Sequence, residues 1–124
     1  MEKKPLILAV DDIPVNRMLI SSQLRFTGYD IITAASGPEA LEIIRTNRPD
    51  IVLLDIMMPG MDGIEVLEAI RQAPETNDLP VLMLTSLSEK EFQDKALQKG
   101  ANGYLTKPLV RARLVQTLEE ILNK

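Results

Sequence analysis

Short apolar runs alternate along this chain with longer stretches whose apolar residues recur every three or four positions. Leu6–Val10, then 51–54, then 81–84 are continuous apolar runs, each followed at once by polar side chains. Unbroken runs of this length suit strands covered on both faces, as in a parallel sheet. Weaker strand patterns fall at 30–33 and 102–105.

Between these runs the spacing predicts helices. The stretch 14–27 opens on Pro14, which suits a first helical turn, and Gly28 follows as a stop. Ser36-Gly37-Pro38-Glu39 reads as a capping box with proline inside the start. Asp62 to Glu65 and Ser88 to Glu91 repeat the same acceptor-x-x-Glu spacing. The helix predicted over 88–99 ends at Gly100 and has a thin apolar face of Phe92, Ala96 and Leu97. The last helix carries Val110, Leu114, Leu118 and Ile121 at helical spacing. Five strands alternating with five helices predict an α/β fold: a parallel sheet with right-handed crossovers and helices on both faces. The 124 residues leave room for one domain, 1–124. Ligands of such sheets bind beyond the carboxyl ends of the strands, beside a switch in strand order.

Directly beyond the predicted strands stand Asp11 and Asp12, then Asp55, then Thr85 and Ser86, then Thr106, Lys107 and Pro108. Three carboxylates, hydroxyls and one ammonium therefore converge on one edge of the sheet. Two like charges about 4 Å apart repel by about 4 kcal/mol at an effective dielectric near 20. The three carboxylates need a cation or a retained proton. One divalent cation and the Lys107 ammonium together neutralise them. Few oxygen ligands with room for water suit Mg²⁺ better than an all-protein Ca²⁺ cage, and Mn²⁺ is the alternative. A cation, a lysine and a hydroxyl around carboxylates are apparatus for phosphoryl transfer, with a carboxylate as attacking group. Asp55 ends the central run and is the candidate nucleophile. Taken alone, Asp11 and Asp12 could equally cap the next helix. Asp30, Asp50 and Asp78 read as turn or strand-flanking residues.

Composition narrows the chemistry. With 0 Cys and 0 His, the chain has no thiol nucleophile, no Ser-His-Asp triad and no His or Cys metal ligand. A net charge of -4 and 3% aromatic residues argue against direct nucleic-acid binding. No apolar run approaches the roughly 20 residues of a membrane span. Residues 1–5 are too short and too polar for a secretory leader. A cytoplasmic protein without membrane contact is expected.

Four segments carry a family resemblance: Val10-Asp11-Asp12; Leu54-Asp55-Ile56-Met57-Met58-Pro59-Gly60-Met61-Asp62-Gly63; Leu84-Thr85-Ser86; and Gly103-Tyr104-Leu105-Thr106-Lys107-Pro108. In this order, each at a predicted strand end, they resemble the receiver domains of two-component response regulators, the family of the chemotaxis regulators. The resemblance covers residues 6–122. It implies a flavodoxin-like doubly wound sheet of order 2-1-3-4-5. It implies Asp55 as the phosphorylated aspartate. It implies Mg²⁺ ligated by Asp12, Asp55 and the Met57 carbonyl, with Asp11 acting through water. Thr85 and Lys107 would bind the phosphoryl oxygens, and the Lys107–Pro108 bond would be cis. Thr85 and Tyr104 would form the switch, although Tyr104 also reads as a half-buried sheet aromatic. Met57 and Leu87 occupy the family's lifetime-tuning positions; neither can orient an attacking water, so a long-lived phosphoryl group is expected.

The implied protein is a signalling switch rather than a conventional enzyme, assisting its own phosphorylation and hydrolysis. Lacking His, it needs another protein as phosphohistidine donor: a sensor histidine kinase or a histidine phosphotransfer protein. Its last helices would act on a downstream protein or output domain, as a monomer or a weak phosphorylation-dependent dimer. Three rivals remain. A flavodoxin-like FMN binder is disfavoured because the acids would repel the phosphate and no Gly-rich loop is present. An aspartyl-phosphate phosphatase would need a cap or longer loops. A structural adaptor would not need the complete polar set.

Overall fold

A computed structural model of the chain describes residues 4–86 and 90–123. Its elements, in order, are β1 Leu6–Val10, α1 Pro14–Leu24, β2 Asp30–Ala34, α2 Gly37–Asn47, β3 Ile51–Asp55, α3 Gly63–Gln72, β4 Val81–Thr85, α4 Lys90–Gln98, β5 Gly103–Thr106 and α5 Arg111–Leu122. The strands form one parallel sheet of order β2-β1-β3-β4-β5. The order reverses between β1 and β3, so a crevice opens beyond their carboxyl ends.

Side chains alternate across the sheet and build two apolar layers. Leu8, Val10, Val52, Leu54 and Met83 pack with Ile44, Leu67, Ile70 and Ala96 of α2, α3 and α4. Ile7, Ala9, Leu53, Leu82 and Leu84 pack with Ile20, Leu24, Leu114 and Leu118 of α1 and α5. Every residue of β3 and β4 is buried, which explains their unbroken apolar runs. Burying a large aliphatic side chain in these layers contributes about 1.5–3 kcal/mol.

Helix ends show where local signals mislead. α1 ends at Leu24, short of the expected Thr27. The Thr27 hydroxyl and backbone N–H both donate to the Leu24 carbonyl, and Phe26 sits at φ 65, so a tight turn replaces the last helical turn. At α2 the Ser36 hydroxyl accepts from Glu39 N–H at 3.3 Å, but the Glu39 carboxylate accepts from Ala35 N–H rather than closing the expected box. At α3 the box is complete: Asp62 accepts from Glu65 N–H at 2.9 Å and Glu65 from Asp62 N–H at 3.0 Å. Ser88, expected to cap α4, lies outside the described residues. Val110 is the extended N-cap of α5 and 62% exposed, not a core helical position. Asn102 precedes β5 instead of opening it: its carboxamide oxygen accepts from Val81 N–H at 2.8 Å and from Arg71 at 3.1 Å. Asp50 does more than flank a strand, because its carboxylate accepts from Leu6 N–H at 2.7 Å.

Candidate functional site

The strand register assembles the site. Val10 lies opposite Leu54, so Asp11 and Asp55 stand level beside the crevice. Leu84 lies opposite Asp55 and Thr106 opposite Thr85, which brings Thr85 and then Lys107 to the same rim. Asp55 is the last residue of β3 and Thr85 the last of β4, so each strand runs one position beyond the end that the apolar pattern marks.

One carboxylate oxygen each from Asp11, Asp12 and Asp55 lies within 4.8 Å of the others. Asp11 and Asp55 are buried, and Asp12 is partly buried. Lys107 Nζ donates to Asp55 Oδ1 at 2.9 Å and to Asp11 Oδ2 at 3.3 Å. Burial alone would lower the Lys107 pKa. The hydrogen bond and charge of Asp55, with those of Asp11, outweigh it and hold the pKa above the ordinary lysine value. The ammonium is therefore charged throughout the neutral range.

The acids are not equivalent. Asp11 Oδ1 accepts from Ile13 N–H at 2.9 Å and from Asn16 Nδ2 at 3.4 Å, while its Oδ2 faces Lys107. The Arg17 guanidinium donates to the Asp11 carbonyl at 2.7 Å. Asp12 Oδ1, by contrast, is buried with no hydrogen-bond partner among the described residues. An orphaned buried carboxylate oxygen is costly, and a hard cation is a fitting partner for it. The donor set thus fits Mg²⁺.

The other expected residues are distributed around this centre. Thr85 is buried, and its hydroxyl donates to the Ser86 carbonyl at 3.2 Å. The Lys107–Pro108 peptide is cis. The Met57 side chain is 53% exposed, and Tyr104 on β5 is 39% exposed. Leu87 lies outside the described residues. Sequence reasoning missed Asn16 and Arg17, which hold Asp11. It also missed Gln93, a buried α4 residue whose Nε2 donates to the Ser86 carbonyl at 3.1 Å. Gln93 stands next to Phe92 on the thin apolar face, and an amide there gives no periodic signal.

Fold and site together define an acidic, oxygen-ligand cation site at the switch point of a doubly wound sheet, with a lysine and a buried threonine on its rim. Residues 7–119 match the response regulator receiver domain family, and the chain belongs to that family. It is 42% identical over 103 residues to the response regulator PleD of Caulobacter vibrioides, covering 83% of this chain and 23% of that protein. A putative response regulator from Chloroflexus aurantiacus superposes with a TM-score of 0.94 at 38% identity, covering 98% of this chain and 100% of that one. The receiver domain of sensor histidine kinase PA1611 from Pseudomonas aeruginosa, with magnesium coordinated in its active-site cleft, gives a TM-score of 0.90 at 32% identity, covering 98% and 100%. This chain spans from a quarter to half the length of curated relatives such as PleD and the Mycobacterium tuberculosis regulator TcrX. Receiver domains are phosphoacceptor signalling modules of two-component systems, not conventional enzymes. Among the described residues no helix is long and apolar enough to cross a membrane.

Proposed function

We propose that this chain is a phosphorylation switch in which Asp55 takes a phosphoryl group from a phosphohistidine on a partner protein. The observation that carries the reading is the meeting of Asp11, Asp12 and Asp55 within 4.8 Å, with Lys107 Nζ 2.9 Å from Asp55. A carboxylate oxygen of Asp55 attacks phosphorus as the phosphorus–nitrogen bond breaks. The bonding pair leaves with the imidazole, and an acyl phosphate remains on Asp55. Lys107 meets the negative charge on the phosphoryl oxygens and the Thr85 hydroxyl turns toward them. Asp12, Asp55 and the Met57 carbonyl would hold Mg²⁺, with Asp11 acting through water, and the ion would supply further charge neutralisation; Mn²⁺ suits the same oxygen donors. The occupied oxygens of Asp11 and the orphaned oxygen of Asp12 support this division.

The donor is a sensor histidine kinase or a histidine phosphotransfer protein, since the chain has no His. The α4–β5–α5 side is the output face for a downstream protein or output domain. Ser86 is tied to α4 through Gln93, and Tyr104 on β5, 39% exposed, would turn inward as Thr85 moves. The protein works in the cytoplasm, as a monomer or a weak phosphorylation-dependent dimer, and assists its own phosphorylation and dephosphorylation. The family membership favours this reading over the flavin-binding and phosphatase readings.

Incubation with Mg²⁺ and acetyl phosphate, followed by intact mass, will show one added phosphoryl group. EDTA and Asp55→Asn will each abolish it. Retention of the added mass in Asp55→Asn would remove Asp55 from the role. Hydrogen exchange on the same sample will change in α4, β5 and α5; unchanged exchange there would exclude that output face.

The phosphoryl group will be long-lived because Met57 carries no amide or carboxylate to orient an attacking water. In Met57→Asn the decay of the added mass will quicken about 10-fold, below the usual range for a positioned acid–base group. An unchanged decay would show that position 57 does not tune the lifetime.

A further inference from the structure

The loop that carries Lys107 is braced from the opposite side of the site. Lys107 N–H donates to the Thr85 carbonyl at 2.7 Å, which ties the loop to β4. Beyond that point the brace comes from α1, across a cleft of about 580 Å³ lined by Asp11, Leu19, Ile20, Lys107 and Pro108. Leu109 of the loop also packs, partly buried, against the apolar layer that includes Ile20 and Leu24 of α1. Two hydrogen bonds span the seam beside that contact: Gln23 Nε2 donates to the Leu109 carbonyl at 2.8 Å, and Arg111 Nε donates to the Gln23 carbonyl at 2.9 Å. Gln23 Oε1 is buried without a hydrogen-bond partner among the described residues. Turning the amide over would set that oxygen against the Leu109 carbonyl, so the orientation is fixed with nitrogen toward the loop.

We infer that Gln23 is a positioning residue for phosphoryl acceptance: its amide, bridging α1 to the Leu109 carbonyl, fixes the backbone that aims Lys107 at Asp55. The inference deepens the phosphoacceptor reading and rests on it. α1 holds the acidic side as well, through Asn16 on the Asp11 carboxylate and Arg17 on the Asp11 carbonyl. Carboxylate and ammonium are thus referred to one rigid element. Lys107 has a flexible four-carbon stem, and its aim is only as good as the backbone beneath it. Without the Gln23 donor, the Leu109 carbonyl loses its hydrogen bond to that element, while the Arg111 bond to the Gln23 carbonyl and the packing of Leu109 remain.

The test is a double-mutant cycle in acetyl phosphate phosphorylation, read by intact mass, with wild type, Gln23→Met, Lys107→Ala and the pair. Methionine keeps length and volume but has no N–H. Gln23→Glu, which replaces the donor by an acceptor, is the second variant should the first fail to fold. Gln23→Met will lower the initial rate roughly 10-fold, short of the ~10²-fold that a 1 Å misplacement can cost. Mg²⁺ affinity will not fall, because Asp12 follows β1 and Asp55 ends β3, neither of them on α1 or on the Lys107 loop. In the Lys107→Ala background the same substitution will add no further loss. An unchanged rate, or an equal loss in both backgrounds, would overturn positioning through Lys107 while leaving the phosphoacceptor reading intact. Failure of the wild type to gain mass would overturn that reading and this inference with it.

Discussion

Gly63→Ala will destabilise the protein by about 2–4 kcal/mol and lower its melting temperature by roughly 10 °C. A Cβ at position 63 would stand 2.3 Å from the Asp55 carbonyl oxygen and 2.8 Å from Ile56 Cα. Both are backbone atoms at the exit of β3, and neither can swing aside as a side-chain tip would. Gly63 N–H also donates to the Ile56 carbonyl at 2.8 Å, so the clash would break a hydrogen bond that seats α3 on β3. The displaced backbone belongs to the candidate nucleophile, and phosphoryl uptake will fall along with stability. Gly60→Ala is the control. Gly60 sits at φ 77 with nothing within 4 Å of a new Cβ, so its cost is confined to about 1–2 kcal/mol of local strain. Calorimetry on the two variants separates the cases. Equal melting temperatures would refute the claim that glycine at 63 is required by the approach of α3 to β3.

The Asp62-Gly63 pair shows how far the sequence could be read. Asp62 announces itself as a cap because the acceptor-x-x-Glu spacing is local and has one structural meaning. Gly63 looks like an ordinary residue inside that cap. Its requirement comes from a strand end brought to it by the fold, a contact absent from local spacing. The same division runs through the site. Asp11, Asp12, Asp55 and Thr85 were legible because they follow apolar runs, and Lys107 because it follows the weaker strand pattern at 102–105; in a parallel sheet the ends of such strands share an edge. The braces around them were not. Gln23 reaches Leu109 and Arg71 reaches Gly100 and Asn102 through hydrogen bonds between residues distant in sequence. A polar side chain on a helix carries no mark of which distant carbonyl it will meet. The early stop of α1 was hidden for a different reason: Thr27 and Phe26 form the turn before Gly28 is reached.

The asymmetry among the acids also organises the electrostatics. Asp11 is buried and held by backbone and side-chain donors, so its charge has partners without a metal. Asp55 shares Lys107 with Asp11. Asp12 is left with the orphaned oxygen. The ammonium and the expected cation therefore draw on the same acidic cluster from different sides. Lys107 offsets one of the two charges of the Asp11–Asp55 pair, and the Asp12 side is the part of the cluster that most needs a metal.

Lys107→Met will separate these two charges, with effects of opposite sign. The rate of phosphoryl uptake from acetyl phosphate will fall about 10²-fold, the scale of losing one preorganised donor to developing charge. Mg²⁺ affinity will rise on the order of 10-fold, because removing a nearby like charge is worth about 1–2 kcal/mol even in a largely aqueous dielectric. Without Mg²⁺ the variant will lose stability by about 1–2 kcal/mol. That is less than the 3–5 kcal/mol of breaking a fully buried pair, because the Lys107 side chain is 30% exposed. The sign with pH follows from the raised lysine pKa. The ammonium's contribution in the wild type is fully present below the ordinary lysine value and fades as pH climbs through the higher folded value. The stability difference between wild type and Lys107→Met will therefore persist across neutral pH and narrow only in strong alkali. Titration calorimetry with Mg²⁺ and denaturant unfolding at neutral and alkaline pH read both quantities. Weaker Mg²⁺ binding in Lys107→Met would mean that the lysine helps assemble the metal site, and would overturn this division of charge.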